Sequence, residues 1–185
     1  MFVDPFEAIN KMFDEHVEAH VQVGKAIEDY DTIELAKHII AIEEGFREKP
    51  YLCSERYLTI GYGTKLCNIK NVNPLDYPVT VNEEQARIWL DDTVRVDDMH
   101  LQSTRGVTYI GLSPVRKAIL LSMCYQMGLV GLLKFHATWK AIDSRKFNTA
   151  AVQMLGSRWA GQTPARAQRH ADAMRTGLLP AFYER

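Results

Sequence analysis

The run from Ala118 to Met127 carries no charged residue and only two polar ones, Ser122 and Gln126. Ser113 followed by Pro114 precedes it as an N-cap and a first-turn proline open a helix, and Gly128 interrupts it. A helix that is apolar on most of its faces has to be enclosed by other elements. This segment is therefore expected to be the buried helix of a helical lobe. A chain of 185 residues with 46% hydrophobic content can close one core, or two small lobes sharing a helix, but not two large domains.

The rest of the chain supplies partners for that helix. Phe6, Ile9, Phe13, Val17 and Val21 recur at helical spacing and predict an amphipathic helix ending near Gly24, with an acidic opposite face. Asp31 with Glu34 is a capping-box-like start for a helix through Leu35, Ile39 and Ile42, and Gly45 is a natural stop. Glu44 then ends that helix. Tyr51 to Gly63 is aromatic and β-branched and predicts a hairpin; with its turn centred on Arg56, Cys53 faces Thr59. Asn68 to Val81 is read as loop, and Asn82 with Gln85 caps a linking helix over about 83–99. After a poorly patterned stretch to Gly111, further helices are predicted at Phe135–Ile142, Phe147–Leu155 and Pro164–Met174, the last capped by Thr163. The fold class is α+β, mostly helical, with one small sheet. An acidic extension over 1–31 precedes a main domain over 32–185, whose helical lobe begins near 112.

A net charge of -1 hides a strong polarity. Residues 105–185 hold 12 Lys and Arg against three acids, a net of +9, which leaves -10 on residues 1–104. Residues 1–34 hold nine acids and two lysines. A basic half suits a polyanion, either nucleic acid or an acid-decorated cell wall. No zinc-finger spacing or aromatic RNA-binding motif accompanies the basic residues, so no nucleic-acid partner is expected. The opposite signs suggest that the acidic extension docks across the basic half, against the plainer reading of a packed or solvated helix. Cys53, Cys67 and Cys124 are an odd set without metal-type spacing, which predicts free thiols in a reducing compartment. His16 and His20 stand one turn apart, but the zincin order is absent, so neither a metal nor a cofactor is expected. Residues 1–11 offer no basic stretch followed by an apolar run, and about 18 consecutive apolar residues occur nowhere. A soluble, cytoplasmically made monomer without stable membrane insertion is the expectation.

A carboxyl group ending a helix is a candidate proton donor, because its charged form would face the negative end of the macrodipole and an apolar lining from Ile40 would disfavour ionisation further, while a nearby arginine would push back. The strings around Glu44 make it specific. Ile42-Glu43-Glu44-Gly45, Tyr51 and Tyr57-Leu58-Thr59-Ile60-Gly61-Tyr62-Gly63 come first, then Tyr125-Gln126-Met127-Gly128, Ser157-Arg158-Trp159, Gln162-Thr163-Pro164, Arg166-Ala167 and Arg175-Thr176-Gly177. In this order they resemble the T-even bacteriophage lysozymes, glycoside hydrolase family 24. The resemblance covers roughly Leu35 to Arg185 and is weak over Lys65–Val81 and His100–Gly111.

That resemblance implies a two-lobed fold and an endolysin that cuts peptidoglycan between N-acetylmuramic acid and N-acetylglucosamine. The catalytic segment would be 42–63, with Glu44 as general acid and Thr59 near the attacked sugar carbon. Arg166 would pair with Glu44, and Tyr125, Gln126, Thr138 and Gln153 would line the glycan cleft. Trp159 and Met127 are expected to pack in the core instead. Nine residues after the glutamate, where the family usually has aspartate, this chain has Cys53. Cys53 is either a small buried apolar residue or a thiol that, when ionised, replaces the carboxylate as water activator or nucleophile. Glu55 is two residues too far along to substitute. The resemblance further implies host lysis, with the enzyme leaving the cytoplasm for the periplasm and wall through a separate holin-type pore. Two alternatives stand beside hydrolysis: a lytic transglycosylase leaving 1,6-anhydromuramic ends, and a non-catalytic wall-binding or virion module.

Overall fold

The computed structural model describes residues 31–184. The helix expected over Phe6–Val21, the pair His16 and His20, and the docking of the acidic extension lie outside the described residues.

Helix α1 spans Thr32–Glu44 and is opened by Asp31, whose side chain accepts from the backbone N–H of Ile33 and Glu34. Leu35, Ala36, Ile39 and Ile40 are its buried face, and Gly45 ends it at φ 68°, a conformation that costs glycine least. A three-stranded antiparallel sheet follows in the order β1 (Arg47–Leu52), β2 (Tyr57–Gly61), β3 (Thr64–Lys70). The second turn and β3 were not expected, and the loop predicted from Asn68 begins only after Lys70. Most of β3 is exposed, so its side chains lack the apolar alternation that marks a half-buried strand.

Helix α2 runs Glu83–Ile110 with Asn82 accepting from Gln85 N–H at 2.7 Å. It extends well past the expected end near 99. Between His100 and Arg105 only Leu101 is buried, and Ser103 and Thr104 return their hydroxyls to the His100 carbonyl. A helix with one buried residue in that span carries too little periodicity to be read. Its backbone breaks at Gly106, with φ 43° and ψ -126°.

Helix α3, Pro114–Leu133, is the enclosed helix. Val115 and every residue from Ala118 to Cys124 are buried, and it packs against α1, α2 and, further along, the helix after Pro164. It breaks at Gly128, φ 74°, and then resumes. Ser113 has N-cap backbone geometry, but its hydroxyl makes no capping hydrogen bond. Helices α4 (His136–Asp143), α5 (Phe147–Leu155), α6 (Arg158–Gln162) and α7 (Pro164–Thr176) complete the helical part, with a final 3-10 turn at Ala181–Tyr183. The short α6 was not predicted, and it changes the role of Thr163. That residue ends α6 and precedes α7, so its hydroxyl donates back to the Trp159 carbonyl at 3.3 Å instead of capping α7. Among the described residues no single helix is long and apolar enough to cross a membrane.

Leu121 has no exposed surface and sits mid-way along α3. Leu121→Ala should cost about 2–5 kcal/mol through lost transfer energy and the cavity left behind. Urea unfolding should show this as a lower midpoint at unchanged slope.

Candidate active site

Adjacent glutamates end α1, and neighbouring helical positions point about 100° apart. They consequently meet different arginines of α7. Glu43, its side chain only 7% exposed, accepts from Arg169 Nε at 2.9 Å and Nη2 at 2.8 Å, and from the Tyr183 hydroxyl. Glu44, 23% exposed, accepts from Arg166 Nη1 through Oε1 at 2.6 Å. Among the described residues no donor is bonded to its Oε2. A Cβ built on Gly63 would lie 3.5 Å from that oxygen, so the end of the Tyr57–Gly63 string passes directly beside it. Gly63 has φ 87°, which favours glycine where the chain makes that close pass.

Arg166 is itself 6% exposed. Its Nη2 donates to the Ser122 carbonyl at 3.1 Å and the Ser122 hydroxyl at 2.9 Å, both on α3. Three elements therefore define the glutamate's position: the end of α1, the start of α7 and the middle of α3.

The hairpin corrects one expectation. Tyr51 pairs with Thr59 and Leu52 with Leu58, and Cys53 N–H donates to the Tyr57 carbonyl. The turn is thus centred on Glu55, and Cys53 faces Tyr57 rather than Thr59. The cause is a three-residue loop: Arg56 N–H donates back to the Cys53 carbonyl, and Arg56 takes φ 68°. Because side chains alternate along a strand, Tyr51, Cys53, Tyr57 and Thr59 still share one face, with Cys53 diagonal to Thr59. Thr59 is 4% exposed and donates its hydroxyl to the Tyr57 carbonyl at 2.9 Å. Lys65 and Lys70 lie over the Tyr57 ring at 3.8 and 4.8 Å, so two ammonium groups sit on the residue that Cys53 faces.

Tyr51 belongs to the strings that carry the resemblance but had no expected role. Burial, and next the Glu44 carboxylate, raise its phenol pKa, and Cys53 acts on it in the same direction. Both candidate catalytic groups therefore act on the Tyr51 phenol. On the other wall, Tyr125 of α3 donates its hydroxyl to the Tyr62 carbonyl at 2.7 Å, and its pKa is raised mainly by burial and also by Glu44. Gln126 is exposed and accepts from the Trp159 indole at 2.8 Å. Thr138, which is buried, and Gln153, which is exposed, line one hollow of about 290 Å³ with Phe135, Ser157 and Trp159. Trp159 therefore packs, as expected, but also walls that hollow. A larger open depression of about 570 Å³ between α1 and α2 holds none of these residues, and its main charges are already paired as Lys37–Asp91 and Arg87–Glu83.

Cys53, Cys67 and Cys124 are all free thiols. Cys124 is buried, and burial together with Asp97 pushes its pKa up to about 12. Reactive thiol chemistry therefore falls to the half-buried pair Cys53 and Cys67, of which Cys67 donates to the Ile69 carbonyl at 3.6 Å.

Beyond Arg166 lies His170, which the sequence reading passed over. It is fully buried, and burial, reinforced by Arg166 and Arg169, holds its pKa well below the ordinary value. The spacing Arg166, Arg169, His170 on one helix face was the available signal. The imidazole stays neutral in the fold but gains a proton on unfolding below about pH 6.5. The unfolded state then binds more protons, so this contribution is complete above that pH and is lost as pH falls, by up to about 1.4 kcal/mol per pH unit. His170→Gln should flatten the stability–pH curve below about pH 6.5, read by urea unfolding at a series of pH values.

A sequence model of the family described as "Phage lysozyme" matches residues 41–172. Two curated relatives from Dictyostelium discoideum align over 164 residues, 79% of this chain and 96% of each relative. "Probable T4-type lysozyme 1" is 28% identical and "Probable T4-type lysozyme 2" is 27% identical.

Proposed function

Because this chain belongs to the phage lysozyme family, we propose that it is a muramidase of the endolysin type. It hydrolyses the β-1,4 bond between N-acetylmuramic acid and N-acetylglucosamine in peptidoglycan. The observation that carries the reading is the Glu44–Arg166 pair at 2.6 Å, which leaves Glu44 Oε2 open beside Gly63 and the hairpin face.

In this reading Glu44 gives its proton to the departing O4 of N-acetylglucosamine as the C1–O4 bond breaks. The Cys53 thiolate takes a proton from water, whose oxygen bonds to the muramoyl C1 with inversion. One water is consumed, and a proton passes through solvent from Cys53 to Glu44 before the next cycle. Thr59 supports the hairpin side of the site, and Tyr125, Gln126, Thr138 and Gln153 support the glycan on the helical side. Direct attack by sulfur would instead proceed through a covalent adduct with retention.

A second reading is favoured by one observation: the strand face holding Cys53 and Thr59 carries no carboxylate, and Glu55 lies in the turn. Without a second carboxylate, Glu44 alone could serve a lytic transglycosylase in which the muramoyl 6-hydroxyl attacks C1. A zymogram on purified cell walls with product analysis decides among the readings. Clearing with reducing muramic ends supports hydrolysis, and 1,6-anhydro ends support transglycosylation. No clearing leaves a wall-binding or virion module.

A further inference from the structure

His170 has no exposed surface, and its ring nitrogens meet Ser122 and Tyr183, not Glu44. Ser122 of α3 lies on one side of its ring and Tyr183 on the other, Arg166 and Arg169 flank it on α7, and Trp159 of α6 packs at 5.9 Å between ring centroids. We propose that His170 is a positioning residue for Glu44. Held as the Nδ1–H tautomer, it draws the Ser122 hydroxyl proton toward itself, turns that oxygen to Arg166, and so aims the guanidinium at Glu44. The inference rests on the reading of Glu44 as the acid.

The tautomer follows from counting protons, starting at Glu43. Its carboxylate is bound on both oxygens by Arg169 and has no proton to give. Tyr183 must therefore donate its single hydroxyl proton to Glu43 Oε1, and its oxygen can only accept from other groups. His170 Nδ1, 3.2 Å from that oxygen, is then the donor. A neutral imidazole has one such proton, so Nε2 presents a lone pair, and the Ser122 hydroxyl donates to it across 2.9 Å. With its proton spent there, Ser122 Oγ offers its own lone pairs to Arg166 Nη2 at 2.9 Å, beside the Ser122 carbonyl at 3.1 Å. Arg166 Nε is buried without a hydrogen-bond partner among the described residues. The guanidinium orientation therefore depends on Ser122 at one end and Glu44 Oε1 at the other. In the opposite tautomer, the Nδ1 lone pair would face the lone pairs of the Tyr183 oxygen, and the Ser122 hydroxyl proton would lose its acceptor.

The test uses the full chain with Ser122→Ala, His170→Leu, His170→Gln and the double variant Ser122→Ala/His170→Leu. Glutamine can place an amide oxygen where Nε2 accepts from Ser122, whereas leucine cannot. Ser122→Ala and His170→Leu should each lower kcat on cell walls by about 10- to 100-fold with little change in KM, as misplacement of a reacting group does. His170→Gln should stay within about threefold of the parent, and the double variant should be no worse than the poorer single, because both act through one hydroxyl. Long-range 1H–15N spectra should show Nδ1 protonated and Nε2 bare at His170. Hindered rotation of the Arg166 guanidinium should persist in His170→Gln and be lost in the Leu and Ala variants. An Nε2–H tautomer, multiplying losses in the double variant, or equal activity of the Gln and Leu variants would overturn the proposal. If His170→Leu fails to fold, Ser122→Ala and His170→Gln still decide it. A parent that does not cut walls strikes down the role of Glu44 instead, while the spectra still decide the relay.

Discussion

Glu44→Gln should lower the rate of wall lysis by about 10²–10⁴-fold, the range that general acid catalysis supplies, while leaving the fold intact. The structure explains both halves. Arg166 Nη1 donates to Glu44 Oε1 at 2.6 Å, and a glutamine oxygen at the same place can accept that bond, so α1 and α7 stay joined. An amide has no acidic proton to give the leaving oxygen. Turbidity loss of purified walls reads the rate, and thermal unfolding reads the fold. A variant keeping more than about a tenth of the parent rate would remove Glu44 from the chemistry. Glu43→Gln separates position from identity. Its carboxylate is spent on Arg169 and Tyr183, so its loss should appear first in stability.

Cys53→Ser should cut turnover strongly, and Cys53→Asp should remain active by supplying the carboxylate that the resemblance implies for this position. Serine keeps the size of the side chain but is a far poorer base and nucleophile than a thiolate. Cys53 is half-buried on the strand face shared with Tyr51 and Thr59, and the proposed mechanism puts the attacking water on that face. Iodoacetamide should inactivate the parent in step with alkylation of Cys53, with Cys124 spared because it is buried and its pKa is pushed up to about 12. Full activity in Cys53→Ser would return Cys53 to the role of a small packing residue. Oxidative inactivation reversed by reductant would add that the thiol also gates activity, since disulfides and sulfenic acids are reversible while higher oxides are not.

Much of the fold was readable because its signals are local. Asp31 before Ile33, Asn82 before Gln85 and Gly45 after Glu44 act within one helical turn, the first two starting their helices and the third ending one where read. The misreadings share a different cause. The β3 strand and the second half of α2 bury few side chains, so hydrophobic periodicity was too thin to register. The hairpin slipped by one position at its centre because Arg56, with φ 68°, makes a three-residue loop that its sequence does not announce.

The sequence alone determined where α1 starts and stops and where α2 starts, that α3 must be enclosed, and that a glutamate would end a helix just before a glycine. These follow from backbone capping and apolar burial, which act between near neighbours. Which of the two glutamates would be open and which spent was decided only by the tertiary structure. So was the assembly of Ser122, His170, Tyr183 and two arginines behind them. Arg166 lies 122 positions from Glu44 and Arg169 lies 126 from Glu43. Proton donors and acceptors that far apart are matched only once α1, α3 and α7 have packed, and a buried polar group must then be paired or bear the cost of its lost hydration.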